Sequence, residues 1–286
     1  MQRLKILHRT YYNFSGAVQL GVHRLLLRPR EGHDLQIESS KLDITPPATV
    51  RWTRDEYDNS VATATFDVTA TQLAIVSEVI VRQYHDAPLD FYLDAAAVNH
   101  PFIYDAEAAV ALRPYFGSIV GASHNPPLWN WLSQVHRIGQ VIPTYELLQR
   151  LMLAIHRSFS YQVREAAGVR SSAETLSLGS GSCRDFAALF IDSAHLLGLA
   201  ARFVTGYLNT PTSQLDFGAT HAWAEVYLPG AGWIGFDPTI GELASNKHVA
   251  VAVGRLPQAL SPVTGSFFGA PGTNMDVGVW VTDATP

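Results

Sequence analysis

One cysteine, Cys183, is the entire thiol complement of this 286-residue chain. No internal disulfide can form, and a reducing compartment, the cytoplasm, is the expected setting. Charge is scarce at 16% of residues, and the net charge of −5 offers no electrostatic footprint for nucleic acid. Long hydrophobic runs are missing too. No stretch has the length of a membrane span, and the opening MQRLKILHRTYYNF has no apolar segment long enough for a signal peptide. Eleven histidines are present, yet no His-Glu-x-x-His or Cys-x-x-Cys pattern joins them, so no dedicated metal site is expected. No calcium loop, no phosphate-binding glycine loop and no internal repeat is found, and no cofactor is implied.

What is there divides into three stretches. Residues 1–85 read as a β-rich domain, a small sandwich. Leu4 and Ile6, the run Leu25, Leu26 and Leu27, the pair Leu35 and Ile37, and the pair Leu42 and Ile44 are short apolar segments between polar clusters. Trp52 and Val61 flank the turn signal Arg54 to Asn59, and Leu73 to Val81 has the β-branched content of a longer strand. His8, His23 and His33 form no close-spaced set and read as strand or surface residues. Residues 86–142, punctuated by Pro88, Pro101, Pro114, Pro126 and Pro127, read as a linker with short helices. Residues 143–286 read as the second domain, a mixed core with C-terminal strands. Its first helix shows the stripe Leu147, Leu148, Leu151, Ile155 and Phe159, and helical pattern also covers Leu128 to His136. Trp131 and Met152 read as packing.

The chain is organised around GSGSCRDFAALFIDSAHLLGL, residues 179–199. Gly179 and Gly181 interrupt regular structure; Ser182 has the place of an N-cap, and Asp185 three residues on completes a capping-box pattern. Phe186, Leu189, Phe190, Leu196 and Leu197 trace one face of a helix that Gly198 should stop. Cys183 therefore lies in a first helical turn, where unpaired N–H groups and the dipole favour a thiolate nucleophile. A buried cysteine acting as a small hydrophobe is the competing reading.

Downstream, Ala200 to Leu208 reads as a strand, followed by a polar loop from Asn209 to Gly218 that looks mobile and open. The segments HAWAEVYL and WIGFD then form a hairpin around the turn Pro229 to Gly232. Parity fixes its chemistry. A three-residue loop pairs Leu228 with Gly232 and sets Asp237 opposite Trp223, diagonal to His221; a five-residue loop sets Asp237 directly opposite His221. Either way the two side chains share a face, with a diagonal of about 7–8 Å between Cα atoms. That makes a base and its orienter. His195 is a poorer base for the thiol, since twelve helical residues separate it from Cys183 by about 18 Å. Glu225 lies about 13 Å along the strand from His221.

The motifs GSGSCRDFAALF, LLGLAARFVTGYL and THAWAEVYLPGAGWIGFDPT resemble the transglutaminase-like superfamily, whose core is related to papain-like cysteine proteases. The β-rich start resembles the N-terminal domain of many bacterial members, and Val249 to Arg255 resembles their C-terminal continuation. Ser182 stands where such relatives often carry Val, and Leu256, Pro257 and Gln258 replace their acidic-aromatic run. The resemblance implies an α+β fold: an N-terminal β-sandwich-like domain, then a papain-like core with a helix-start cysteine packed on an antiparallel sheet. It implies a catalytic Cys183, His221 and Asp237 triad acting on amide bonds through an acyl-enzyme, with a peptide or protein as substrate. Peptidase or amidase hydrolysis, transfer to an amine, and a catalytically silent scaffold all use this core. Tyr161 matches an upstream tyrosine of the family and is a candidate substrate or oxyanion contact, or core packing. Trp223, beside His221, lines the acyl site or is core. Neither nucleic acid nor membrane is an expected partner, and the oligomeric state is left open.

Overall fold

The computed structural model describes residues 1–84, 87–117, 125–164, 168–209, 220–269 and 272–284. It is a mixed α/β protein with a strand-rich N-terminal part. Strands β1 (Gln2–Leu20), β2 (His23–Leu25), β3 (Leu35–Thr45), β4 (Thr49–Arg54), β5 (Ser60–Thr65) and β6 (Thr69–Gln83) form two antiparallel layers. The turn expected at residues 54–59 joins β4 to β5: Asp55 Oδ1 accepts the backbone N–H groups of Tyr57 and Asn59 at 3.1 and 2.9 Å. Between the layers lie Phe14, Val18, Leu20, Leu25, Leu27, Ala62, Ala64, Leu73 and Ile75, all buried. The two segments expected around Ile37 and Leu42 are one strand, carried through by a register shift between Ile37 and Ser39. His8 and His23 lie on strands but are buried, not on the surface.

Residues 87–142 contain α1 (Ala106–Ala111) and α2 (Pro126–Val135), together with β7 (Asn99–His100), which pairs with β8 (Ile142–Pro143). The amphipathic stripe read from sequence forms α3 (Thr144–Ser158), with Leu147, Leu148, Leu151 and Ile155 inside. After β9 (Ser160–Tyr161) comes α4 (Ser172–Leu178), a helix that sequence reading passed over. It has only seven residues, too few for a hydrophobic period, and its start is fixed by a Ser171–Glu174 capping box. β10 (Ser180–Gly181) runs parallel to β9 and leads into α5 (Cys183–Leu196). Gly198, at φ +79°, ends α5, and the Leu199 N–H returns to the Ala194 carbonyl at 2.9 Å.

Helix α5 packs on a five-stranded sheet built from β11 (Ala201–Leu208), β12 (His221–Leu228), β13 (Gly232–Asp237), β14 (Glu242–Leu243) and β15 (His248–Gly254), in the order β14-β13-β12-β11-β15. Phe186, Leu189 and Phe190 of α5 meet Ala222, Ala224 and Val226 of β12 and Phe236 of β13. The Phe190 and Phe236 rings stack at 5.4 Å. Each such buried side chain contributes about 1.5–3 kcal/mol. This interface fixes the helix start against the sheet.

Two findings revise the expected organisation. The last strands, β16 (Val263–Thr264), β17 (Phe267–Gly269) and β18 (Thr273–Asp283), do not extend the core sheet. They pair with β2 and β1 and complete the N-terminal layers. An alternating apolar sequence carries no record of which distant edge it will join. Nor does packing stop at residue 85. Leu4, Ile6, Val79 and Val81 share one apolar cluster with the helices of the second part.

Candidate active site

Cys183 begins α5 and is 7% exposed. Asp185 fixes that start. Its Oδ2 accepts the backbone N–H and the hydroxyl of Ser182, each at 2.9 Å, so the expected capping arrangement is present. The same buried carboxylate accepts the Arg170 backbone N–H at 2.8 Å and the Arg164 guanidinium at 3.0 Å. Burial opposes its charge, but these donors outweigh burial and hold its pKa below the ordinary value.

The hairpin adopts the three-residue loop, with Leu228 opposite Gly232 and Ala224 opposite Phe236. Asp237 therefore lies diagonal to His221, and His221 Nε2 donates to Asp237 Oδ2 at 2.6 Å. Cys183 also acts on this imidazole and favours its protonated form. With Nε2 directed at the carboxylate, Nδ1 is the nitrogen left for the thiol. Burial disfavours an imidazolium here, yet the charge of Asp237, the hydrogen bond to it and the contact with Cys183 together raise the His221 pKa far above its ordinary value. Asp237 shifts down correspondingly: burial would raise it, and the facing His221 more than offsets that. Its other oxygen, Oδ1, accepts the Thr239 N–H at 2.9 Å.

The other two sequence candidates separate. Tyr161 sits in β9 opposite Gly181, two residues before the thiol, and is 36% exposed. It stands beside the nucleophile, not within the core. Trp223 is 2% exposed and packs among Val204, Val253 and Tyr57, so it presents no surface to a substrate. Of its two readings, acyl site or core, the burial fits core, and its ring stacks at 6.2 Å on His221. Gly206 makes room for it, since a Cβ there would lie 2.8 Å from the indole and 2.2 Å from the Val249 carbonyl oxygen. The polar loop expected to be mobile lies, from residue 210 on, outside the described residues.

Sequence reasoning missed His248. It begins β15, and its Nε2 donates to the same Asp237 Oδ2 at 3.1 Å. The signal was available, because a histidine at the start of an alternating strand had already marked His221. His221, Asp237 and His248 also have the composition of a metal-ligand set, with donor atoms within 4.8 Å of one another. Their hydrogen bonds already account for them. Oδ2 takes two imidazole N–H groups, Oδ1 takes Thr239, and His248 Nδ1 accepts the Ser245 N–H at 3.1 Å. A cation would have to displace that whole set.

A thiol at a helix start and an imidazole backed by a carboxylate lie within a core of the shape just described. The model for the "Bacterial transglutaminase-like N-terminal region" matches residues 4–82, and that for the "Transglutaminase-like superfamily" matches residues 134–238. The chain belongs to the transglutaminase-like superfamily. An uncharacterised Mycobacterium tuberculosis protein is 28% identical over 281 residues, 93% of this chain and 88% of its own. A Mycobacterium leprae protein, also uncharacterised, is 24% identical over 291 residues, 99% of each chain. The crystal structure of a Cytophaga hutchinsonii protein, named as a candidate cysteine protease, matches with a TM-score of 0.71. It covers 100% of this chain and 93% of its own at 20% identity, which is a likeness of fold. Among the described residues, no helix is long and apolar enough to cross a membrane.

Proposed function

We propose that the protein is a cysteine hydrolase of amide bonds, a peptidase or amidase acting on a peptide or protein through Cys183, His221 and Asp237. The observation that carries this reading is the 2.6 Å bond from His221 Nε2 to Asp237 Oδ2, on an imidazole whose protonated form Cys183 also favours. Sγ, as thiolate, attacks the amide carbonyl carbon, and the carbonyl π electrons move to oxygen. The helix-start N–H of Cys183, which has no acceptor within the helix, donates to that oxyanion. Exposed Tyr161, beside the nucleophile, is the candidate for a further substrate contact. His221 Nδ1–H then protonates the departing nitrogen as the C–N bond breaks, leaving a thioester and a neutral imidazole. The imidazole next takes a proton from water as the water oxygen attacks the thioester carbon. Sγ leaves as thiolate, and the imidazolium is restored. Asp237 keeps the proton on Nε2 throughout, so that Nδ1 always faces the chemistry.

Water is the acceptor that requires no further binding site, whereas amine transfer requires water to be excluded and an amine to be docked. A lone nucleophilic thiol also favours the reducing cytoplasm as the working compartment. The test is partitioning. Glutamine-containing peptides are supplied with increasing primary amine, both products are followed, and acyl-Cys183 is sought by mass spectrometry. Hydrolysis unaffected by amine is the expected result. An amine adduct that grows at the expense of hydrolysis overturns the hydrolase assignment in favour of transfer, and failure to trap any acyl-enzyme overturns the thiol mechanism.

A further inference from the structure

We propose that His248 is a positioning residue for the thiol chemistry, a fourth member that acts on Cys183 through Asp237 and His221. The inference rests on the functional reading above and deepens it. Its basis is the hydrogen-bond inventory around the Asp237 carboxylate.

The tautomer of His248 is fixed by its partners. The Ser245 backbone N–H points at Nδ1 at 3.1 Å, so Nδ1 carries no proton and the ring hydrogen must be on Nε2. That N–H donates to Asp237 Oδ2 at 3.1 Å. Burial also disfavours a charged His248. The groups facing it are Asp237, His221 and Glu242, the last paired with Lys247 at 3.0 Å. It therefore works as a neutral donor.

The consequence lies in what Asp237 is left free to do. With His248 in place, Oδ1 is held by Thr239 and Oδ2 by two imidazoles that approach from different strands. The carboxylate cannot turn about its Cβ–Cγ bond without breaking charge-assisted hydrogen bonds in a dry interior. It stays ionised, in plane, with Oδ2 on His221. Without His248, one hydrogen bond to Oδ2 remains, and the orientation of His221 loses half its support.

His248 is itself held from the N-terminal part. Gln83 of β6 donates to the His248 carbonyl at 2.7 Å. Further along β15, the Ala250 carbonyl accepts the Arg30 N–H at 2.8 Å, and the Asn59 side chain bonds both the N–H and the carbonyl of Val253 at 2.9 and 2.8 Å. β15 is the outer strand of the core sheet, and the N-terminal part satisfies its exposed edge. That part therefore contributes to the site with no side chain on the thiol: it holds the strand that bears His248. The edge of the Trp223 ring closes the remaining side of His248 at 5.1 Å.

The test uses the full-length protein and iodoacetamide, which reads the reactivity of Cys183 without a known substrate. His248→Leu keeps the volume and removes the donor; His248→Gln keeps an N–H near the position of Nε2. We expect His248→Leu to slow labelling about tenfold or more, the scale of one charge-assisted hydrogen bond, and His248→Gln to recover most of it. In parallel, 15N spectra of the wild-type histidine side chains should show His248 protonated on Nε2 alone, a readout that does not depend on any variant folding. Equal labelling of His248→Leu and the wild type, no rescue by Gln, or a proton on Nδ1 would overturn the inference. A wild-type Cys183 that labels no faster than an ordinary thiol would instead overturn the functional reading beneath it.

Discussion

Asp237→Asn is the sharpest perturbation that the site offers, because every contact to this carboxylate is an N–H donor. Oδ1 accepts from Thr239, and Oδ2 accepts from His221 and His248. An asparagine has one acceptor oxygen and one amide nitrogen that carries two hydrogens. If the oxygen faces the imidazoles, the NH2 group confronts the Thr239 N–H, and one buried donor pair is left unsatisfied at about 1–3 kcal/mol. If the nitrogen faces them, neutral His221 must carry its proton on Nδ1 and has no basic nitrogen left to take a proton from water. Both outcomes remove the negative charge that keeps His221 protonated against burial. Loss of the charge-assisted bond together with the tautomer penalty should lower turnover by about 10²–10⁴-fold, the range for a base with its orienter removed. That corresponds to about 3–5 kcal/mol in the barrier. The fold should survive, since shape and volume are conserved. The assay is kcat/KM on whichever glutamine peptide the wild type cleaves, paired with iodoacetamide labelling and a melting curve. Turnover within threefold of wild type, in a folded variant, would refute the reasoning.

Cys183→Ala should abolish turnover and acyl-enzyme formation while shifting the melting temperature little; a detectable rate in that variant would point to another nucleophile. His221→Ala should remove nearly all activity and nearly all fast labelling, and near-wild-type turnover would show that another base serves. Gly206→Ala should cost activity more than its size suggests, because the added methyl meets the Trp223 ring at 2.8 Å and that ring backs His221; unchanged labelling kinetics would contradict this. His8, bonded to Tyr207 and Thr10, has its pKa lowered by burial from 6.5 to about 4. The unfolded chain thus takes up a proton there first, and stability should fall as pH drops from 6.5 toward 4, by about 3 kcal/mol for this group. His8→Gln should flatten that limb of the melting-temperature profile and leave turnover within a few-fold, and an unaltered acid limb would refute the assignment.

What the sequence disclosed, and what it withheld, follows from range. The start of α5 was legible because Ser182 and Asp185 act within one turn of each other, and its end because Gly198 acts on the residues just before it, so capping is a local code at both ends. The approach of His221 to Asp237 was legible because a tight turn at Pro229 transmits register, and parity does the rest. His248 was not seen, although it is only eleven residues past Asp237, because its role depends on β15 crossing to the far edge of the sheet beside β11. Trp223 was left between acyl site and core because strand alternation tells which residues share a face, not whether that face is open. The destination of β18 was beyond local reasoning altogether, since its partner lies at the other end of the chain. Burial of His8 likewise depends on Tyr207, which lies 199 residues away.

The return of β18 to β1 bears on how the molecule is made. Leu4 to Asn13 of β1 lie between β6, present early in synthesis, and β18, which emerges only after the core sheet. Until then, one long edge of the first sheet is open and able to pair with other chains. Contacts that join the two ends of a chain carry the largest loop-closure cost and close slowly. A ribosome-bound intermediate can thus have its helices and core sheet in place while its first layer still awaits a partner. A product that stops short of Thr273 would keep Cys183, His221, Asp237 and His248 but expose β1, and its fate would be aggregation rather than a smaller folded protein.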